Sequence, residues 1–225
     1  MMENKKRIRT VFWIIVLSGS ILLGVLSPAL SMADRARNIL LIAWLVSIAA
    51  ASVAIDLLWY RAFNRQLKAL QPILLEERDP DRYIQEISAL LEGKKSSHLR
   101  GVLLINLSAA YCEKREYDTA KTLLLQIEPR KLSGINRPVY WADLAYVHFY
   151  LREDKQACTI LARQQKAFAP LAASPQLGGL LAILTIFQKL STGDKAGAKA
   201  ALAQARPRWE NAHNAPDFDY LARQC

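Results

Sequence analysis

The chain has 225 residues, 52% of them hydrophobic, and its 30 Lys and Arg against 20 Asp and Glu give a formal net charge of +10. Its 3 cysteines, Cys112, Cys158 and Cys225, are odd in number and widely separated, which excludes a disulfide-rich secreted scaffold and favours a reducing compartment. The basic residues are interspersed with acidic ones and form no aromatic-rich basic strand or recognition helix, so no nucleic-acid partner is expected.

Two long apolar stretches open the chain. Residues 11–30 carry no charge, and residues 39–60 carry only Asp56. At about 1.5 Å rise per residue, each stretch makes a helix of roughly 30 Å, which matches the hydrocarbon core of a bilayer. A helix is required because lipid offers backbone amides no hydrogen-bonding partner. The sequence therefore predicts an integral membrane protein with a transmembrane hairpin over residues 11–60.

Basic residues flank this hairpin on both sides. Four Lys and Arg lie in the N-terminal segment 1–10, and Arg61, Arg65 and Lys68 follow the second stretch. Because cytoplasmic flanks carry the excess of Lys and Arg, both termini are predicted to face the cytoplasm in a multi-pass protein of the cell membrane. An alternative treats residues 1–33 as a cleaved signal peptide, and it leaves the large C-terminal part in the cytoplasm as well.

Residues 61–100 predict a linker and N-terminal capping helices. The second apolar stretch is expected to continue as a helix with a kink at Pro72. Asp79 is typical of an N-cap, Pro80 suits the first helical turn, and Gly93 is typical of a helix end. A short amphipathic helix is therefore expected between Asp79 and Gly93, covering the first helices that follow.

Residues 101–205 show helical periodicity and an internal repeat. In the first copy Leu107 precedes Ala120 by 13 residues, and in the second copy Leu144 precedes Ala157 by the same 13 residues. Each copy places a large residue on one helix and a small residue on the next, which lets two antiparallel helices cross closely.

This pattern resembles the tetratricopeptide repeat, in which Trp, Leu, Gly and Tyr on one helix are followed by Ala, Phe and Pro on the next over about 34 residues. The residues that carry the match are Leu107, Ser108, Tyr111, Ala120 and Leu124 in the first copy and Trp141, Leu144, Ala145, Ala157 and Leu161 in the second. A third copy has Gly193 at its turn and Ala198 on its second helix. Arg115 and Arg152 stand where the family favours a turn glycine.

The resemblance implies an all-α fold in which about three repeats, residues 101–205, form a short superhelical solenoid. Residues 206–225 are expected to form a C-terminal capping segment, because solenoid ends need covering. The sequence shows no catalytic constellation, no metal-ligand spacing and no phosphate-binding loop. Neither enzymatic activity nor a cofactor or metal is therefore expected.

Solenoids of this family bind proteins or peptides on a concave face that the first helices of successive repeats line. The resemblance thus implies a membrane-anchored adaptor or scaffold with a protein or peptide partner. The residues expected to line the groove are Asn106, Ala109, Cys112, Glu113, Ala142, Tyr146, Phe149 and Tyr150. The three aromatic residues have an alternative role in packing between repeats. The alternative function is a structural subunit of a membrane complex that interacts through the transmembrane hairpin itself.

Overall fold

The computed structural model describes residues 2–29, 34–93 and 96–225, and every regular element in these ranges is a helix. The predicted all-α class is confirmed. The chain divides into two compact units, one ending at Lys68 and the other running from Ala69 to Cys225. Each unit is therefore described separately.

The first unit holds α1 (Met2–Ala29) and most of α2 (Asp34–Leu75). By length and composition, α2 is the one helix in the described ranges that could cross a membrane, and α1 contributes a shorter apolar stretch, Thr10–Val25. The sequence predicted two spans; the second, residues 39–60, lies within α2, and the first stays a prediction. The expected connection between the spans, residues 31–38, falls partly on residues 30–33, which lie outside the described ranges.

The two helices of this unit contact each other around Trp44. The Trp44 indole Nε1 donates a hydrogen bond to Ser20 Oγ at 3.2 Å. A Cβ atom at Gly19 would lie 2.5 Å from Trp44 Cζ2, so the glycine leaves room for the indole. Nearby, Ile42 and Leu45 are more than 60% exposed, which gives the unit an apolar outer surface.

In its described residues, the second unit contains the end of α2 and eight further α-helices. They are α3 (Pro80–Leu91), α4 (Ser97–Glu113), α5 (Tyr117–Leu125), α6 (Asn136–Tyr150), α7 (Asp154–Phe168), α8 (Gly178–Ser191), α9 (Lys195–Trp209) and α10 (Ala215–Gln224). The predicted start of α3 is confirmed, because the Asp79 carboxylate accepts a hydrogen bond from Arg82 N at 3.0 Å and Pro80 opens the helix. The boundaries expected before residues 101 and 206 both fall inside helices, α4 and α9.

Three consecutive helix pairs, α4–α5, α6–α7 and α8–α9, share one turn geometry. Three residues connect the helices of each pair, and the middle one has a positive φ angle: 60° at Arg115, 61° at Arg152 and 80° at Gly193. The following residue donates its N–H to the carbonyl five positions earlier, at 2.9 Å in every turn. This is the Schellman ending, which normally favours glycine in the left-handed position.

Small residues lie where the helices of each pair cross. Ala120, Ala157 and Ala198 are all 0% exposed, and each donates its N–H to the carbonyl of the last turn residue, at 2.9 to 3.2 Å. The first helices of the pairs also contact one another in series, α4 with α6 and α6 with α8. These three helices thus share a surface, here called the α4–α6–α8 face. Its residues are Ala109, Cys112 and Glu113 on α4, Asp143 and Tyr146 on α6, and Gly179, Leu180 and Ile183 on α8.

Candidate functional site

The chain returns across the α4–α6–α8 face after α9 ends. This C-terminal segment, residues 210–225, consists of a short loop and α10. In the loop, Arg78 Nη2 donates a hydrogen bond to the Ala212 carbonyl, and His213 Nδ1 lies 3.2 Å from Glu113 Oε1. The expected cap at the end of the chain is therefore also in contact with the first helix pair.

At the start of α10, Asp217 contacts two tyrosines of α6. The hydroxyls of Tyr146 and Tyr150 both donate hydrogen bonds to Asp217 Oδ1, the former at 2.9 Å. On the same helix, Phe218 and Leu221 are fully buried in a hydrophobic core that also includes Phe149 of α6. The C-terminal segment is thus held by polar contacts to α4, α6 and α9 and by apolar contacts to α8 and α9.

A cavity of about 300 Å³ separates the C-terminal segment from the face. Besides the face residues and Ser108, its lining includes Pro175, Gln176, Trp209, Asn211, His213, Asn214 and Asp217. A second cavity, of about 330 Å³, shares Cys112, Glu113, Tyr146, His213 and Asp217 with the first and adds Tyr117 and Tyr150. Both cavities are clefts that are partly open to solvent, so the segment leaves part of the face accessible.

Three carboxylates line the first cavity, although the whole chain is basic. Desolvation raises the pKa of Asp143 to about 7, and no hydrogen bond or ion pair to this carboxylate is present in the described part of the chain. Desolvation also raises the pKa of Glu113, against the opposing effect of His213. It raises the pKa of Asp217 despite the hydrogen bonds from Tyr150 and Tyr146.

The cysteine on this face is a poor nucleophile. Burial raises the pKa of the Cys112 thiol well above its ordinary value, and the nearby carboxylates of Asp143, Glu113 and Asp217 raise it further. Because the thiolate is the reactive form, Cys112 is protonated and unreactive at neutral pH. Its thiol contributes to the cavity wall as a small, weakly polar group.

The structure divides the eight residues that the sequence proposed for the groove. Ala109, Cys112, Glu113 and Tyr146 line the first cavity, and Tyr150 lines the second. Three of the eight residues line neither of these two cavities: Asn106, Ala142 and Phe149.

These three residues have packing roles. Asn106 Oδ1 accepts a hydrogen bond from the Tyr83 hydroxyl of α3 at 2.8 Å, because this side of α4 faces the preceding helix. Ala142 is fully buried, and Phe149 stacks on Phe187 of α8 with ring centroids 5.1 Å apart. For Phe149, the packing role between successive helix pairs is the one observed.

Tyr146 and Tyr150 combine packing with polar contact. Their rings lie 4.8 Å apart, and Tyr150 stacks on Tyr117 of α5 at 4.5 Å. Tyr150 also contacts Phe187 of α8 at 5.2 Å and Tyr220 of α10 at 5.5 Å. The rings therefore connect three successive pairs and α10, while the hydroxyls remain directed at Asp217.

Sequence reasoning missed Asp143, His213 and Asp217. Asp143 lies three residues before Tyr146, so helical periodicity alone puts both on one face, and that signal was available. His213 and Asp217 gave no such signal, because nothing in the local pattern indicates that the chain returns to α4 and α6.

Within residues 2–29, 34–93 and 96–225, no group of three or more His, Cys, Asp or Glu side chains is arranged to hold a metal ion. Comparisons of the chain with protein-family models, with curated proteins and with solved structures each give no match. The function is therefore argued from the geometry of the site.

Proposed function

We propose that this chain is a membrane-anchored adaptor or scaffold whose helix pairs form a tetratricopeptide-like solenoid and whose α4–α6–α8 face binds a protein or peptide. One observation carries the proposal: three helix pairs with the same turn and the same buried alanine present their first helices on one face. Repetition of this kind creates extended binding surfaces.

The lining of this face supports a binding role. It combines tyrosine, tryptophan and small residues with carboxylates and side-chain amides around a cavity. Aromatic side chains in a partly desolvated seat are the usual anchors of protein interfaces. The proposal requires no catalysis, and it agrees with a Cys112 thiol that stays protonated at neutral pH.

The membrane anchor in this proposal is a hairpin of α1 and α2 with both termini in the cytoplasm. The apolar length of α2, the exposed apolar side chains of both helices and the contact at Trp44 support the hairpin. The basic residues on either side support the orientation.

Site-specific photo-crosslinking in the membranes of the source cells tests the proposal. A photoreactive residue replaces Gln176, which is exposed and lines the first cavity. Thr122, exposed on α5, is the matched control, and Leu45 reports on the exposed surface of α2. We expect a defined crosslinked protein from position 176 and none from position 122. Crosslinks from position 45 alone would refute the proposal. They would favour the alternative function, a structural subunit of a membrane complex that interacts through its transmembrane hairpin.

A further inference from the structure

We propose that the α4–α6–α8 face binds an amphipathic helix in which a carboxylate immediately precedes an aromatic residue, with a leucine three positions further on. In this view α10 is an internal ligand of that kind, with the sequence Asp217-Phe218-Asp219-Tyr220-Leu221, and a partner helix binds by replacing it. The inference rests on the proposed function of the face, and it specifies the chemistry of the partner.

The carboxylate of this element accepts hydrogen bonds from a specific pair of hydroxyl groups. Tyr146 and Tyr150 lie one helical turn apart on α6, and both hydroxyls converge on the same oxygen of Asp217. Hydrogen bonds to a charged acceptor are stronger and more discriminating than those between neutral groups. A helix that only caps the solenoid needs apolar contacts with the last helix pair. The hydrogen bonds from Tyr146 and Tyr150, which belong to the preceding pair, are not required for capping.

The apolar part of the element is buried in the hydrophobic core that it shares with α8 and α9. Phe218 and Leu221 lie three positions apart, on one face of α10, and both are 0% exposed. Recognition of an amphipathic helix in a groove uses anchors at this spacing. Tyr220 adds a ring contact to Tyr150 at 5.5 Å and to Phe187 at 6.0 Å.

Two clefts that are partly open to solvent flank the seated segment. Cavities of about 300 and 330 Å³ lie beside Tyr146 and Asp217. The loop that leads into α10 is held to α4 by the exposed contact between His213 and Glu113. Exposed ion pairs contribute little to stability, so this end of the segment is the point at which replacement would begin.

A synthetic peptide of residues 210–225, labelled with a fluorophore, tests the inference on the full-length chain in detergent micelles and reducing buffer. In the wild-type chain the peptide competes with a tethered copy at high effective concentration, so weak binding is expected. The variant Asp217→Ala removes the acceptor of both tyrosine hydroxyls and increases the fraction of open chains. We expect hydrogen exchange in α10 to accelerate and peptide affinity to rise at least tenfold.

Asp219→Ala is the matched control. Asp219 lies close to Asp217 on α10, is exposed, and pairs with Arg206 at 2.6 Å rather than with α6. The Asp219→Ala chain should bind the peptide as the wild type does, within about threefold. Peptides carrying the same two substitutions provide the reverse test. On the Asp217→Ala chain, the peptide that itself carries Asp217→Ala should bind about tenfold more weakly than the unmodified peptide.

A second variant guards against misfolding. The double substitution Tyr146→Phe and Tyr150→Phe keeps both rings and removes both hydroxyls. It should also accelerate exchange in α10, and it should bind the unmodified peptide and the Asp217→Ala peptide equally. Persistent discrimination between the two peptides would overturn the assignment of the tyrosines as readers of the carboxylate.

Three other results would overturn the inference. They are α10 opening in the Asp217→Ala chain without peptide binding, α10 remaining closed in that chain, and a wild-type dimer with exchanged α10 helices. The first two make α10 a fixed cap, and the third makes a second copy the occupant. Peptide binding without any crosslinked protein from position 176 would instead count against the proposed function alone.

Discussion

Replacing Asp143 by asparagine should stabilise the second unit, residues 69–225, at alkaline pH and leave its stability unchanged in acid. The carboxylate lies in the cavity wall without a partner in the described part of the chain, and its pKa rises from 3.8 to about 7 because of desolvation. The folded state therefore binds a proton more tightly than the unfolded state does. Stability from this group is present below about pH 4 and is lost as the pH rises toward 7.

The size of the effect follows from the shift. About three pKa units at roughly 1.36 kcal/mol each give an upper bound of about 4 kcal/mol above pH 7. For a unit of this size, each kcal/mol corresponds to roughly 2–4 °C in melting temperature. The amide keeps the shape of the side chain and cannot ionise, so Asp143→Asn abolishes the penalty.

Thermal unfolding followed by circular dichroism between pH 4 and pH 8 measures the difference between the variant and the wild type. The melting temperatures should coincide near pH 4 and diverge as the pH rises through the window. Glu86→Gln, at an exposed position on α3, is the control and should give parallel curves. A constant difference across the pH range, or a destabilised variant at pH 8, would refute the reasoning.

Ala157→Arg should destabilise the second unit by more than about 3 kcal/mol in chemical unfolding, because a long charged side chain cannot fit where two helices touch. The control Ala162→Arg, at an exposed position on the same helix, should be tolerated. Arg152→Gly should stabilise by roughly 0.5–1 kcal/mol, since glycine adopts positive φ without strain; a lower denaturation midpoint would contradict this. Phe149→Ala should cost about 3–5 kcal/mol through loss of the Phe187 stack. A reporter active only outside the cytoplasm should stay silent after Cys225, and strong activity would overturn the topology.

Local chemistry made parts of the fold predictable. The ends of α3 follow from an aspartate that caps orphan amides, a proline suited to the first turn and a glycine that ends the helix. The fully buried alanines of the helix pairs follow from spacing, because a close crossing leaves room for small side chains only. In both cases the cause lies within a few turns of the residues concerned.

The groove was only partly predictable, for a different reason. Helical periodicity tells which residues share a face, but not whether that face meets solvent or the next helix pair. Phe149 and Tyr150 are adjacent and both contact Phe187 of α8, yet of the two Tyr150 alone lines the cavity beside Asp217. The contact between Glu113 and His213 joins positions far apart in sequence through polar side chains, and hydrophobic patterning carries no information about such a contact.

The C-terminal segment is held by two kinds of contact that respond differently to change. Burial of Phe218 and Leu221 contributes on the order of 1.5–3 kcal/mol for each side chain, and this part belongs to the same core as Phe149. The hydrogen bonds to Asp217 add to this, but they must also offset desolvation, which raises the pKa of the Asp217 carboxyl. Deleting α10 would expose the core and remove both contributions at once. Substitutions at Asp217 and at the two tyrosine hydroxyls alter the polar contribution alone, so they distinguish a replaceable ligand from a permanent cap.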